Sequence, residues 1–312
     1  MNKIRPFHFG VTLLGASSRQ EWVSKVKRAE ELGYTSLQMP DHLGKPFLPP
    51  LLTLMLAAEV SSTLRLGTKV LDNNFRHLVL QAQEIATLDL FSGGRIDIGL
   101  GAGYMEKEYW QAGIPFDPPG IRVGRLEESV RLLKALFGDR PVTSSGRYYN
   151  LNNYESFPKP LQRPHPPILL AGGGKRMLSI AAREADIISL NPRVRPDGNS
   201  LDMQDASAEA TAQKIDWIRQ AAGERFDQIA LAVEVIEVVR TDGKQQPEPL
   251  TVMSPGEFGN QPLQGMYVLV GSVDQICEQV LANRERFGIS HVSVMEKNME
   301  DFAPIVARLS GQ

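Results

Sequence analysis

The chain is poor in the features that would tie it to several common partners and chemistries. It holds one cysteine, Cys277, so no intrachain disulfide can form. That residue lies in "VDQICEQV", a predicted helix, where a free thiol behaves as a small buried hydrophobe. No run of five Lys and Arg residues occurs and the formal net charge is −2, so neither nucleic acid nor an anionic membrane is an expected partner. No apolar stretch approaches the ~20 residues that span a bilayer. The opening "MNKIRPFHFGV" runs from a basic cluster straight into a strand, so no signal peptide and a cytoplasmic location are expected. No G-x-S-x-G elbow is present, which argues against a serine hydrolase. The histidines, His8, His42, His77, His165 and His291, do not pair with Cys, carboxylate or each other at metal-ligand spacing, so no metal is expected.

What is present is an alternation. Short β-branched runs are followed by longer amphipathic stretches. "FHFGVTLL" (7–14) reads as a strand. "RQEWVSKVKRAEELG" (19–33) places Trp22, Val26, Ala29 and Leu32 at helical spacing, with Gly33 as the stop. The pattern repeats until eight strands are predicted, at 7–14, 35–40, 64–71, 95–103, 167–174, 186–191, 229–239 and 291–296. Eight strands alternating with helices over 312 residues predict a single α/β domain, a closed (β/α)8 barrel. An open doubly wound sheet is the alternative. Two irregular stretches interrupt the rhythm and are predicted insertions, 139–166 with a hairpin turning at "SSGR", and 240–264. The helix at 48–62 carries Leu51, Leu52, Leu54, Met55 and Leu56 with almost no polar face, so a second copy of the chain is expected to cover it, making a homodimer.

In such barrels the active site lies at the C-terminal strand ends, which here read "PDH", "LDNN", "GAGY", "AGGG" and "LNPR". "GLGAG" (99–103) is G-x-G-x-G rather than the dinucleotide pattern G-x-G-x-x-G. Its small residues fit either a tight turn at the rim or the close approach of a flat ring. "AGGGKRM" (171–177) ends a strand and opens a helix, which suits an anion, with Lys175 and Arg176 adding positive charge. His42 follows the second strand and can give or take a proton near neutral pH, with Asp41 beside it to orient it or to bind a ring amide. An ordinary turn after Pro40 fits the same residues.

Together "PDH", "LGTKVLDNNFRHLVLQAQEIATLDLFSGGRIDIGLGAGY" and "PPILLAGGG" resemble the luciferase-like monooxygenase superfamily, and within it the oxidoreductases that use the deazaflavin coenzyme F420. The resemblance runs from about 7 to 191 and more loosely through 267–310. It implies a ring in the barrel mouth with Asp41 and His42 against it, His42 handling the proton. It also implies a non-prolyl cis peptide near Lys69, Val70 and Leu71 beneath the ring. Asp72 and Asn73 would face the ring edge, Ala102 and Gly103 its other side, and Gly172, Gly173, Gly174 and Lys175 the phosphate. One departure stands out. The family's sugar-phosphate dehydrogenases carry a glutamate where this chain has Tyr104, which argues against that reaction and leaves Tyr104 as a hydrogen-bond donor. The expected function is hydride transfer between F420 and a small organic molecule. The alternatives are an FMN-dependent monooxygenase using O2 and a barrel that binds flavin without catalysis. Arg122, Arg147, Arg193 and Arg195 in or beside the irregular loops hint at an anionic group on the ligand.

Overall fold

The computed structural model describes residues 5–44, 46–195, 198, 200–242, 262–263 and 265–312. The first half of the chain runs β1 (His8–Thr12), α1 (Arg19–Glu31), β2 (Ser36–Met39), α2 (Pro50–Val60), β3 (Arg65–Thr68), β4 (Leu71–Asp72), α3 (Leu78–Phe91) and β5 (Ile96–Gly101). Next come α4 (Glu106–Ala112), α5 (Pro119–Phe137), β6 (Val142–Ser145), β7 (Asn150–Tyr154), β8 (Ile168–Gly172), α6 (Lys175–Glu184) and β9 (Ile187–Leu190). The chain finishes with α7 (Ala208–Ala222), β10 (Ala230–Val235), β11 (Glu237–Arg240), β12 (Val268–Gly271), α8 (Val273–Phe287), β13 (Ile289–Met295) and α9 (Met299–Leu309).

The parallel sheet runs β3-β2-β1-β13-β10-β9-β8-β5, and pairing of β3 with β5 closes it into an eight-stranded barrel. Alternation along each strand sends one set of side chains out to the helices. In β1, Phe9 and Val11 are fully buried on that side, with Phe9 meeting Phe302 of α9 edge-on at 5.8 Å. Helix α1 buries Trp22, Val26 and Ala29 as its spacing predicts, and its N-cap Ser18 accepts from the Glu21 amide. Helix α8 opens on a reciprocal capping box between Ser272 and Gln275. The predicted hairpin is β6–β7, antiparallel.

Three local readings change. The predicted strand 229–239 is broken, because Ile236 donates to the Tyr267 carbonyl at 2.9 Å and the chain leaves the barrel to pair β11 with β12. The predicted strand at 64–71 is interrupted by a cis peptide at Lys69–Val70, after which β4 resumes along β5. The stretch after the fourth predicted strand contains α4, too short for a periodic pattern to reveal. The predicted insertion at 240–264 falls mostly outside the described residues. Among the described residues no helix is long and apolar enough to cross a membrane. Helix α2 buries Leu54, Ala57 and Ala58 and leaves Leu52 77% exposed, and the neighbouring α3 leaves Leu80 and Phe91 exposed as well.

Candidate active site

The strand ends surround a cavity of about 860 Å³. Asp41, His42, Val70, Asp72, Ala102, Gly103, Tyr104 and Gly172 to Gly174 all line it, so residues far apart in sequence converge as expected. Three of the expected contacts do not. Leu71 is buried in the apolar core, and Asn73 is buried behind the wall with its amide 3.4 Å from the Tyr149 hydroxyl. Lys175 is exposed and does not line the cavity; Arg176 does, with Nη1 donating to the Gly120 carbonyl at 2.9 Å.

His42 is held by a residue that sequence reasoning missed. Its Nδ1 lies 2.8 Å and 3.1 Å from the two carboxylate oxygens of Glu108, which is only 5% exposed. Glu108 also accepts the Leu43 amide at 3.2 Å, so it fixes the turn as well as the ring. A carboxylate on Nδ1 sets the tautomer that leaves Nε2 as the acceptor. Asp41 is not the orienting group. It takes both Nη1 and Nη2 of Arg76 and accepts the backbone amide of Asp72 at 3.2 Å. It therefore pins the chain just past the cis peptide. Tyr104 lies edge-on to His42, ring centres 6.1 Å apart.

Asp72 is equally enclosed. It accepts from the Tyr109 hydroxyl at 2.5 Å and from the backbone and side chain of Asn74, each at 2.9 Å. Burial pushes its carboxyl pKa up, and those hydrogen bonds oppose the rise. Burial, reinforced by Asp72, raises the Tyr109 phenol too, so Tyr109 is a donor here.

The glycines of "GLGAG" are explained by the chain itself. A Cβ on Gly99 would stand 1.9 Å from the Thr68 carbonyl, and one on Gly101 would stand 2.5 Å from Val70. Both make room for the bulge of β3. Gly103 has φ +73° and a Cβ there would strike Tyr109 and Asp72, at 2.0 Å and 2.3 Å. In "AGGG", Gly172 and Gly173 are filled likewise, a Cβ meeting Met177 at 2.5 Å and the Asn191 carbonyl at 2.4 Å, and Gly174 alone differs. Gly174 is the N-cap of α6, supplies no side-chain cap, and a Cβ there would meet nothing within 4 Å. The first amides of α6 have no partner within their own helix.

Of the arginines, Arg122 is buried, lies over Phe116 at 4.1 Å and donates to carbonyls of Ala102, Gly103 and Asp117, bracing the β5–α4 turn. Arg193 lines the cavity and pairs with Asp205 at 3.2 Å, and Arg195 lines it too. Arg147 lies over Tyr148, away from the cavity lining. Lys69, Thr12 and Glu234 form the floor, with Thr12 donating to Glu234. Their signal in the sequence was faint: a lone charged residue at an inward position of an apolar strand.

A model of the luciferase-like monooxygenase family matches residues 4–248. The chain belongs to that family. Over 161 residues it is 31% identical to an FMNH(2)-dependent dimethylsulfone monooxygenase of Pseudomonas putida, covering 52% of this chain and 41% of that protein. Over 167 residues it is 34% identical to an F420-dependent glucose-6-phosphate dehydrogenase of Kineococcus radiotolerans, covering 51% of this chain and 48% of that one. The chain thus spans about half the length of these curated relatives. An F420-dependent tetrahydromethanopterin reductase from Methanopyrus kandleri superposes with a TM-score of 0.77 at 19% identity, covering 98% of this chain and 100% of that chain. A long-chain alkane monooxygenase does so with a TM-score of 0.77 at 15% identity, covering 98% of this chain and 91% of that chain. At those identities the likeness carries the fold alone. In this luciferase-like barrel the acid missing at Tyr104 has a neighbour, because α4 turns Glu106 and Glu108 into the cavity wall.

Proposed function

We propose that the chain is an oxidoreductase that moves a hydride between coenzyme F420 and a small organic molecule. The observation that carries the reading is the His42–Glu108 pair, which holds an imidazole at the cavity wall with Nε2 left to exchange a proton. The deazaflavin, when bound, supplies or accepts the hydride. His42 takes the proton from a substrate hydroxyl or returns it to a carbonyl oxygen. Glu108 stabilises the imidazolium that forms. Asp41 and Arg76 keep the Lys69–Val70 turn in place beneath the ring. Gly174, open at the N-terminus of α6, and Arg176 fit a phosphate.

FMN with O2 is the second reading. It is favoured by the similarity to the dimethylsulfone monooxygenase and by a phosphate cradle that serves FMN equally well. Titration of the purified chain with F420 and with FMN separates the two. Tight binding of F420 with hydride exchange supports the first; FMN binding with O2 consumption supports the second. Binding without turnover across a substrate panel supports a non-catalytic barrel. His42→Ala should lower turnover ~10²–10⁴-fold and spare cofactor affinity; undiminished turnover refutes the role. We further propose that α2 and α3 pair with a second copy through Leu52, Leu80 and Phe91. A monomer in analytical ultracentrifugation excludes it.

A further inference from the structure

Beneath the floor lies a second chamber of about 300 Å³, toward the N-terminal ends of the strands. Most (β/α)8 barrels fill this level with branched apolar side chains. Here Leu169, Ile187 and Val292 line it beside the small Gly10, Gly67 and Ala232 and the polar Gln38 and Ser293, and the level is not filled. A void of this size is far above the ~10–15 Å³ of probe volume that admits a water molecule.

Lys69 stands at the head of this chamber and borders both cavities. Its Nζ donates to the Ser293 hydroxyl, and among the described residues it forms no ion pair. Every nearby carboxylate is turned elsewhere. Glu234 above takes the Thr12 hydroxyl. Asp97 below takes the Arg65 guanidinium, Nε at 3.0 Å and 3.1 Å from its oxygens. On the opposite wall His8 and His291 stack with ring centres 4.4 Å apart. Burial lowers His291 to about 3, and His8, Arg5, Lys69 and Arg65 each push it the same way. Burial lowers Lys69 as well, with Glu234 alone opposing. Basic groups therefore line one small space whose two carboxylates, Asp97 and Asp186, are already engaged, Asp186 by the Ile168 amide at 2.9 Å. An unpaired amine in such a space gains most from an acceptor that carries negative charge.

We propose that this lower chamber binds a small inorganic oxyanion of the sulfate or phosphate class, with the Lys69 amino group as its central donor and the Ser293 hydroxyl, which here donates to the Val233 carbonyl at 3.3 Å, turning to it as a second. The anion fills the gap below the floor and restores basicity to Lys69 and His291, so binding takes up protons. The site is separate from the phosphate cradle at Gly174, which lies in the upper cavity.

The test is calorimetric titration of the full chain with sulfate against a chloride-balanced reference, in two buffers of different ionisation enthalpy. In Arg176→Ala, which removes the upper phosphate cradle, one saturable site with net proton uptake is expected. Adding Lys69→Met should weaken that site more than about tenfold and remove the proton uptake. If Lys69→Met does not fold, Ser293→Ala decides, with an expected loss of about three- to tenfold. No saturable binding to the wild type, undiminished binding in the Lys69 and Ser293 variants, or loss of the site in Arg176→Ala overturns the proposal.

Discussion

Two glycine-rich ends of neighbouring strands border the cavity, and their last glycines do opposite things. At the end of β5, Gly99, Gly101 and Gly103 are small because the protein's own atoms occupy the space a side chain would need. At the end of β8, Gly172 and Gly173 are small for the same reason, and Gly174 alone has nothing beside it. The first set houses a bulge and a hydrogen-bonded carboxylate. Gly174 leaves a helix terminus open. A glycine is evidence for a ligand only when the volume it vacates stays empty.

Among substitutions at these two strand ends, the largest effect is expected at Gly99. Gly99→Ala drives a methyl into the Thr68 carbonyl, a backbone atom that cannot swing away, so a loss of about 3 kcal/mol or more is expected. Chemical denaturation checks it; near-wild-type stability would mean that β5 does not need its glycine for the bulge. Next is Arg176→Ala, expected to weaken the phosphate-bearing cofactor roughly tenfold, or ~1.4 kcal/mol, with the melting temperature held. Equal affinity by fluorescence titration would remove the cradle from the site.

Asp72 gives a pH test on the β5 side. Its folded pKa is raised, so folding favours the protonated carboxyl. The stability it contributes is full below the unfolded pKa of ~3.9 and is lost as pH rises through the folded value. Asp72→Asn should remove that loss, at most ~1.4 kcal/mol per pH unit, and the difference between variant and wild type should grow with pH above 4 before levelling. A constant difference would mean that burial does not control this group. The smallest effect is expected for Gly174→Ala, about 1 kcal/mol or less by denaturation, since a Cβ there meets no neighbour and only the N-cap preference for glycine over alanine is lost. Strong destabilisation would make Gly174 like the glycines of β5.

Legibility followed the range of the interaction. Strands such as His8–Thr12 and helices such as Arg19–Glu31 could be placed because period and stop signals are local. The short α4 could not, since seven residues carry little periodicity. Its absence hid Glu108, and so Asp41 was read as the partner that His42 finds 66 positions away. Lys175 and Arg176 looked interchangeable in "AGGGKRM", yet successive helix positions point about 100° apart and only Arg176 lines the cavity.

By itself, the sequence determined the eight-strand alternation, the barrel it implies and the strand ends that meet at its mouth, because these rest on hydrophobic period and on the position of each turn. Tertiary structure alone decided which carboxylate holds His42, which glycines are filled by the chain, and that Lys69 stands between two cavities, without an ion pair among the described residues. Those outcomes depend on which side chains meet across the closed barrel, and no local pattern records that distance.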